Sequence, residues 1–578
     1  MKSYSTPFLQ IYYTLVKKAA LLIYLLAFQC FNSHIIAQTA IDSSPKNFVN
    51  FTGALNITTN TYGNGNIGEP RQSPFSYALT GSPTLSIGNI SFPFSFTFSD
   101  QKFSYAHPFN RYGVSPTYKW VKLHLGYRSL NFSPYTLAGR QFFGAGVELT
   151  LGKFNLSAVS GKLENLLAKR DSIVFGATPV ETYKRKLKGL KIGIGQKSGL
   201  DLIYLKVIDE LASSIPNLGD NTRLLPQDNV VIGLNGRITF FKRLLLKVES
   251  AGSLHTNDAR EDLSIPDSVN VPKIYERLDG LIKPNLSTRW GLAGNAGLDL
   301  NTNPFSLGIG YQRIDPYFKS LGVYYMVTDF ESYTAHLSTK LFNKKLRLRL
   351  KGGFQKNNLS LVRRSSTIRK VGSVNLSYAS KGGFSLNANF NNIQTDQRAG
   401  YIEIEDSLRL ALVNSSAMLN LGYSWKTKDY RHSINTNLGS TKFKDINDDY
   451  FLPIGETKNN NINLNYALRH KPSQMSYRLG INSYRLTSPS NENKGIGLSA
   501  GISKKMLAKK LTVRFSGSYN IKTNQGEKDG YFLRLRNKIS YKITKKQNLG
   551  FYISWARRPS IVRPLKETRA ILSYNLRF

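Results

Sequence analysis

The residues richest in chemistry are cations set at every second position. Arg347, Arg349 and Lys351 form one such set, and Arg534, Arg536 and Lys538 form another. Alternate side chains of an extended strand share a face, so each triplet projects three positive charges from one wall. Cations on a wall attract anions and repel cations, which is binding and selectivity rather than bond-making. The whole chain leans the same way, with 78 Lys and Arg against 36 Asp and Glu and a formal charge of +42. In a soluble domain that balance would point to nucleic acid. Here the basic residues recur in short turns, and no nucleic-acid partner is expected.

Groups suited to catalysis are sparse. His107, His124, His255, His336, His432 and His470 are spread over distant segments, with no pair at a metal-ligand spacing. His124, His336 and His432 read as ordinary polar or interfacial wall residues. Asp445, Asp448 and Asp449 (DINDD) loosely resemble a calcium loop, without the Gly and closing Glu that such a loop needs. A solvated loop is the simpler reading. No catalytic residue, metal or cofactor is expected, and the chain is not read as an enzyme.

The elements that must hold these cations are strands. Counting back from the terminus, Phe578, Leu576, Tyr574, Leu572 and Ala570 fall on one face of an extended segment, with Arg577, Asn575 and Ser573 on the other and Ile571 as the exception. The same two-residue period recurs throughout. Leu346, Leu348, Leu350, Gly352 and Phe354 alternate with Arg347, Arg349, Lys351, Gly353 and Gln355. Leu533, Leu535, Asn537, Ile539 and Tyr541 alternate with Arg534, Arg536, Lys538, Ser540 and Lys542, and Trp290 to Leu300 repeats the pattern. Each segment is about 9–15 residues, and a tilted strand crosses hydrocarbon in roughly 9–11. An Arg or Lys facing lipid near the midplane costs about 2–4 kcal/mol, so the polar faces must point inward. A mean hydropathy of −0.29 fits a wall in which only every second residue meets lipid.

Turns order the hairpins. Short turns are expected at Gly152-Lys153, Gln196–Gly199, Phe241–Arg243, Asn301–Pro304, Phe342–Lys345, Ala379–Gly383, Lys426–Tyr430, Arg469–Ser473, Ser503–Lys510 and Thr544–Asn548. Longer polar stretches such as Leu254–Lys283, Ile393–Ser407 and Thr441–Lys458 separate them. Lys242-Arg243, Lys344-Lys345, Lys504-Lys505, Lys509-Lys510 and Lys545-Lys546 crowd the short turns. Each cation beside an anionic leaflet gains about 1 kcal/mol, which anchors that rim to membrane lipids. The expected fold is an all-β transmembrane antiparallel barrel of about 22 strands (range about 20–24), an even number as in bacterial barrels.

The N-terminus sets the compartment. Lys17 and Lys18 precede an apolar run from Ala19 to about Phe31, and Ala37 offers a small residue for cleavage. Residues 1–37 are therefore read as a secretory signal peptide, with the mature chain beginning at Gln38. Cys30 is preceded by Phe28 and Gln29, a poor context for lipidation, and beyond it the chain has no cysteine for disulfides. Residues 38–117 break the hairpin rhythm. Phe92, Phe94, Phe96 and Phe98 alternate with Ser91, Pro93, Ser95 and Thr97, so the segment is plug-like or adds strands. Residues 118–578 form the barrel.

The stretch from Pro108 to Lys162 (PFNRYGVSPTYKW, HLGYRSLNFSPYTLAGRQFFGAGVEL, GKFNLSAVSGK), with GYQRIDPYFKSLG from Gly310 to Gly322, resembles a family of uncharacterised outer-membrane barrels of Bacteroidetes. That resemblance implies a bacterial outer-membrane location and carries no catalytic residue, ligand or substrate. A terminal aromatic strand likewise resembles the segment by which barrel-insertion machinery recognises its clients, here Phe578, Leu576, Tyr574 and Leu572. The expected function is a channel or gated porin for polar or anionic solutes. The alternative is a non-transporting barrel, a scaffold for periplasmic or surface partner proteins in secretion, adhesion or assembly.

Overall fold

The computed structural model describes residues 48–65, 72–100, 111–163, 183–196, 198–210, 225–260, 283–400, 411–445, 455–559 and 564–578. The signal peptide expected at residues 1–37 lies outside them. A short N-terminal unit ends at Asn50, and the unit from Phe51 to Phe578 carries the architecture.

Among the described residues the chain is a closed antiparallel β-barrel of 26 strands. Every strand from Val121–Arg128 to Leu565–Arg577 pairs with its sequence neighbours. Closure comes at the ends of the chain, where Leu565–Arg577 pairs with Ala54–Asn64 from Ala54 opposite Arg577 to Asn64 opposite Glu567. Two main-chain bonds between Gly53 and Phe578 (3.1 and 3.2 Å) extend this seam, and the Phe578 ring stacks on Phe51 at 4.5 Å.

The strand count corrects the sequence expectation. The strands that follow Tyr118 number 22, as expected, and four more precede them. These are Ala54–Asn64, then Phe75–Gly81 continued by Thr84–Ile87, then Ile90–Ser99, then Arg111–Val114 continued by Thr117–Tyr118. Two of the four are broken at Ser82-Pro83 and Ser115-Pro116. Proline has no N–H for the ladder, which hid the two-residue rhythm. The described residues of 38–117 thus add strands and do not form a plug.

All ten expected short turns fall where paired strands meet, at the same rim as Gly53 and Phe578, but the turn expected at Ser503–Lys510 is confined to residues 507–510, and Lys504-Lys505 belong to the strand Asn491–Met506. Several use left-handed backbone without glycine, at Phe241-Lys242, Phe342 to Lys344 and Leu507 to Lys509. These place an exposed apolar residue beside each basic pair, a combination suited to a lipid interface. Just above that rim the outer wall carries a girdle of rings. Tyr423, Trp425, His432 and Tyr430 stack in sequence, Trp425 on His432 at 4.7 Å. Beyond the girdle Leu234, Leu292, Ile309, Leu464, Leu479, Ile496 and Leu498 all stand exposed. So large an uncovered apolar surface is stable only with hydrocarbon as its solvent.

Candidate functional site

Cross-strand register gathers cations that sequence spacing keeps apart. Arg431 stands opposite Arg469, Arg469 opposite Ser476, Ser476 opposite Ser503, Ser503 opposite Arg514, Arg514 opposite Lys538. One step farther from the short-turn rim, Arg478, Gly501, Ser516 and Arg536 form the next row. All belong to the inward face. Two adjoining depressions of about 390 and 330 Å³ open onto this wall, the first lined by Arg478, Arg514, Arg534, Arg536 and Lys538, the second by Arg431, Arg469 and Lys505.

The intervening wall is Ser and Gly, so the cations have no bulky neighbours to cover them. None of these eight makes an ion pair with a described carboxylate. Arg469 reaches only the Gln474 amide (3.5 Å), and Arg534 lies over the Phe532 ring at 4.8 Å. Like charges about 6 Å apart in water repel by roughly 0.7 kcal/mol per pair, so the cluster holds a standing attraction for anions.

Asparagines line the wall beyond the cations. Asn387, Asn420, Asn437, Asn463 and Asn482 stand opposite one another on successive strands, and the row continues through Gly497 to Asn520. Asn437 donates to Asn420, and Asn482 donates to Asn520 Oδ1 at 3.0 Å. Gly497 lies between the last two, and a Cβ there would collide with both amide oxygens. The row is a neutral, hydrogen-bonding surface.

The six cations singled out by spacing do not form one ring. Arg534, Arg536 and Lys538 join the patch above. Arg347, Arg349 and Lys351 also face inward, but nine strands away. There Lys351 stands opposite His336, whose Nε2 lies 3.3 Å from Asp299 Oδ1. Spacing within one strand could not reveal Arg431, Arg469, Arg478, Lys505 and Arg514. Each is an isolated inward cation until register aligns it with its neighbours.

The opposite part of the lumen is occupied. A circular barrel of 26 strands, spaced about 4.8 Å and tilted about 40°, is roughly 50 Å across between backbones, too wide for wall side chains to fill. Two connections, residues 129–141 and 315–329, fold inward against the strands between Phe142 and Phe330. They bury Leu130, Phe132, Tyr135, Leu137, Phe318 and Leu321 against Ile203, Leu205, Val231, Ala251 and Ala293. A parallel bridge joins Ala138 to Val323, and Ser320 Oγ donates to Thr136 O at 2.6 Å. Gly322 lies so close that a Cβ would meet Thr136 O and the Leu205 side chain.

Asn229, fully buried, holds the second connection. Its Nδ2 donates to Lys319 O (3.0 Å), Ser253 Oγ (2.9 Å) and Leu254 O (2.9 Å), and its Oδ1 accepts from Leu321 N (2.9 Å). Tyr135 Oη accepts from Asn295 and Gln312 at 3.0 and 3.1 Å. Burial lowers the Lys319 ammonium below its usual range. These two connections overlap the two stretches that carry the family resemblance.

His124, expected as an ordinary wall residue, is buried beside the first connection and joins a network that runs out to the partly exposed Glu148 and Lys122. Its Nδ1 lies 3.2 Å from Ser115 Oγ and its Nε2 2.5 Å from Glu148 Oε1, with Lys122 3.3 Å from the same oxygen. Ser115 and His124 are both buried, so the hydroxyl is not offered to a substrate. Among the described residues no three His, Cys, Asp or Glu gather to hold a metal.

No protein-family model matches the chain, and no curated protein matches it. Solved structures similar to it include OccAB2 of Acinetobacter baumannii, at 10% identity and a TM-score of 0.29, over 61% of this chain and 92% of that one. The outer membrane protein OpdK of Pseudomonas aeruginosa matches at 10% and 0.29, over 61% and 94%. The P pilus usher PapC translocation pore matches at 10% and 0.38, over 91% and 99%. The barrel assignment rests on the strand pairing itself and not on these similarities.

Proposed function

We propose that the chain is a channel of the bacterial outer membrane for polar, preferentially anionic solutes. The observation that carries this reading is the division of the lumen. One side is closed by two inward-folded connections, and the other is a wall of cations without carboxylate partners among the described residues. A solute taking the open side meets the asparagine row and then the cationic rows, or the reverse. The amides exchange hydrogen bonds for lost water, and the cations lower the electrostatic barrier for anions. The Phe578 strand, which closes the barrel, is read as the signal for barrel insertion, and the resemblance to Bacteroidetes barrels supports the same location.

Planar-bilayer recording of the refolded protein under a KCl gradient tests the function. Stable conductance steps with a reversal potential on the anion side support it. A silent bilayer, from protein that is folded by heat-modifiable gel mobility, would instead favour a barrel that serves as a scaffold for partner proteins.

A further inference from the structure

The outer wall holds a second feature, independent of the lumen. Between Thr288–Asn301 and Ser365–Ala379 three register rows face outward. The upper row is Ala296, Tyr311, Tyr333, Phe354 and Lys370, and the lower is Leu300, Leu307, Leu337, Leu350 and Val374. The middle row runs Leu298, Ile309, Ala335, Gly352, Gly372, with three small residues in succession.

The result is an apolar groove of about 850 Å³, adjoining a second of about 410 Å³ that shares Ala335 and Gly352. Its upper wall is a stack of rings, Tyr311 on Tyr333 at 4.9 Å and Tyr333 on Phe354 at 4.8 Å. A Cβ at Gly372 would have nothing within 4 Å, so the wall there leaves real space.

Lys370 closes one end of the groove and faces outward, where an unpaired cation is tolerated only near the interface. It lies nine residues from the end of its strand at Ala379. At about 3.4 Å per residue and a tilt of about 40° that is roughly 23 Å above the short-turn rim, close to the far edge of an apolar band about 25 Å tall. Lys356 is a neighbour on the next strand, opposite Glu331, and no described carboxylate pairs with Lys370.

We propose that this groove is a lipid site. An acyl chain lies along the Ala335–Gly352–Gly372 row beneath the aromatic stack, and an anionic phosphate head group of the leaflet on the long-loop side meets Lys370. The apolar lining selects a chain, and Lys370, at head-group depth at the end of the groove, selects the charge.

Native mass spectrometry of the full-length folded protein, with dioleoyl phosphatidylglycerol and dioleoyl phosphatidylcholine in competition, tests it. The two probes share their chains, and one cation at an anionic surface is worth about 1 kcal/mol, which is about fivefold in retention of phosphatidylglycerol. Lys370→Gln should remove that preference while keeping adducts of both lipids. Gly352→Leu with Gly372→Leu should remove the adducts, with folding checked by heat-modifiable mobility. Equal retention of the two lipids by the unaltered protein would overturn the proposal. So would adducts that survive the filled groove, or a dimer that dissociates when the groove is filled.

Discussion

Asn229→Ala isolates what holds the inward connection at residues 315–329. The side chain is fully buried, and two of its four hydrogen bonds go to that connection, at Lys319 O and Leu321 N. The Lys319 carbonyl keeps a second donor in Ser253 Oγ, so its loss is partial. The Leu321 N–H has no other acceptor among the described residues and would be orphaned at a cost of about 1–3 kcal/mol. With one further bond worth about 1 kcal/mol, the docked state loses roughly 2–4 kcal/mol, or about 30- to 900-fold in its opening equilibrium. Phe318 and Leu321 stay buried and contribute about 1.5–3 kcal/mol each, so the connection should open more often without leaving the wall. Hydrogen exchange of peptides spanning 315–329 reads this directly, because exchange through local opening tracks its free energy. Exchange faster by roughly 30- to 900-fold there, with barrel strands such as Leu511–Asn524 unchanged, is the expected result. Unchanged exchange at 315–329 would refute the role given to Asn229.

Other perturbations probe other parts of the account. Deleting Phe578 removes its stack on Phe51 and two main-chain bonds to Gly53, together about 2–3 kcal/mol at the closing seam; the temperature at which the folded gel band disappears should fall, and an unaltered temperature would count against the seam. Gly322→Val forces a side chain into Thr136 O and Leu205; both inward connections should become protease-sensitive and the conductance should rise. Asp258 is held below the usual carboxylate range chiefly by its hydrogen bonds from Arg260; its backbone carbonyl accepts from Asn285 Nδ2 and Ser287 Oγ, and its N–H donates to Ser287 Oγ. A depressed carboxyl contributes stability above its unfolded value of about 3.9 and loses it as pH falls through the folded value. Exchange at residues 257–260 and 283–288 should therefore quicken only below about pH 4, and a rise between neutral pH and 5 would contradict this.

Local pattern made most of the barrel legible. The Leu346–Asn357 and Glu527–Lys542 strands show the two-residue period directly, and Phe342–Lys345 or Lys426–Tyr430 mark turns through composition alone. The first four strands escaped counting for two reasons. Pro83 and Pro116 interrupt the ladders, and the strands ending at Ser99 and beginning at Arg111 meet the long-loop rim, where the number of residues between them is no obstacle. The lumen was less legible because it depends on contacts distant in sequence. Leu130, Phe132, Tyr135 and Leu137, with Phe318 and Leu321, are too apolar for solvated connections, and that composition was a usable sign that they fold inward. Nothing local marked Arg431, Arg469, Arg478 and Arg514 as partners of Arg536 and Lys538. Their grouping follows from register across strands, which spacing within each strand does not determine.

Whether anions pass along the cationic wall can be read from the reversal potentials of paired variants. Changing Arg478, Arg514 and Arg536 together to Ser should move the reversal potential from the anion side toward zero while single channels remain. Changing Arg347 and Arg349, nine strands away on the same face, should move it less. A reversal potential that the first variant leaves on the anion side, or unaltered protein that selects cations, would rule out the cationic wall as the anion path.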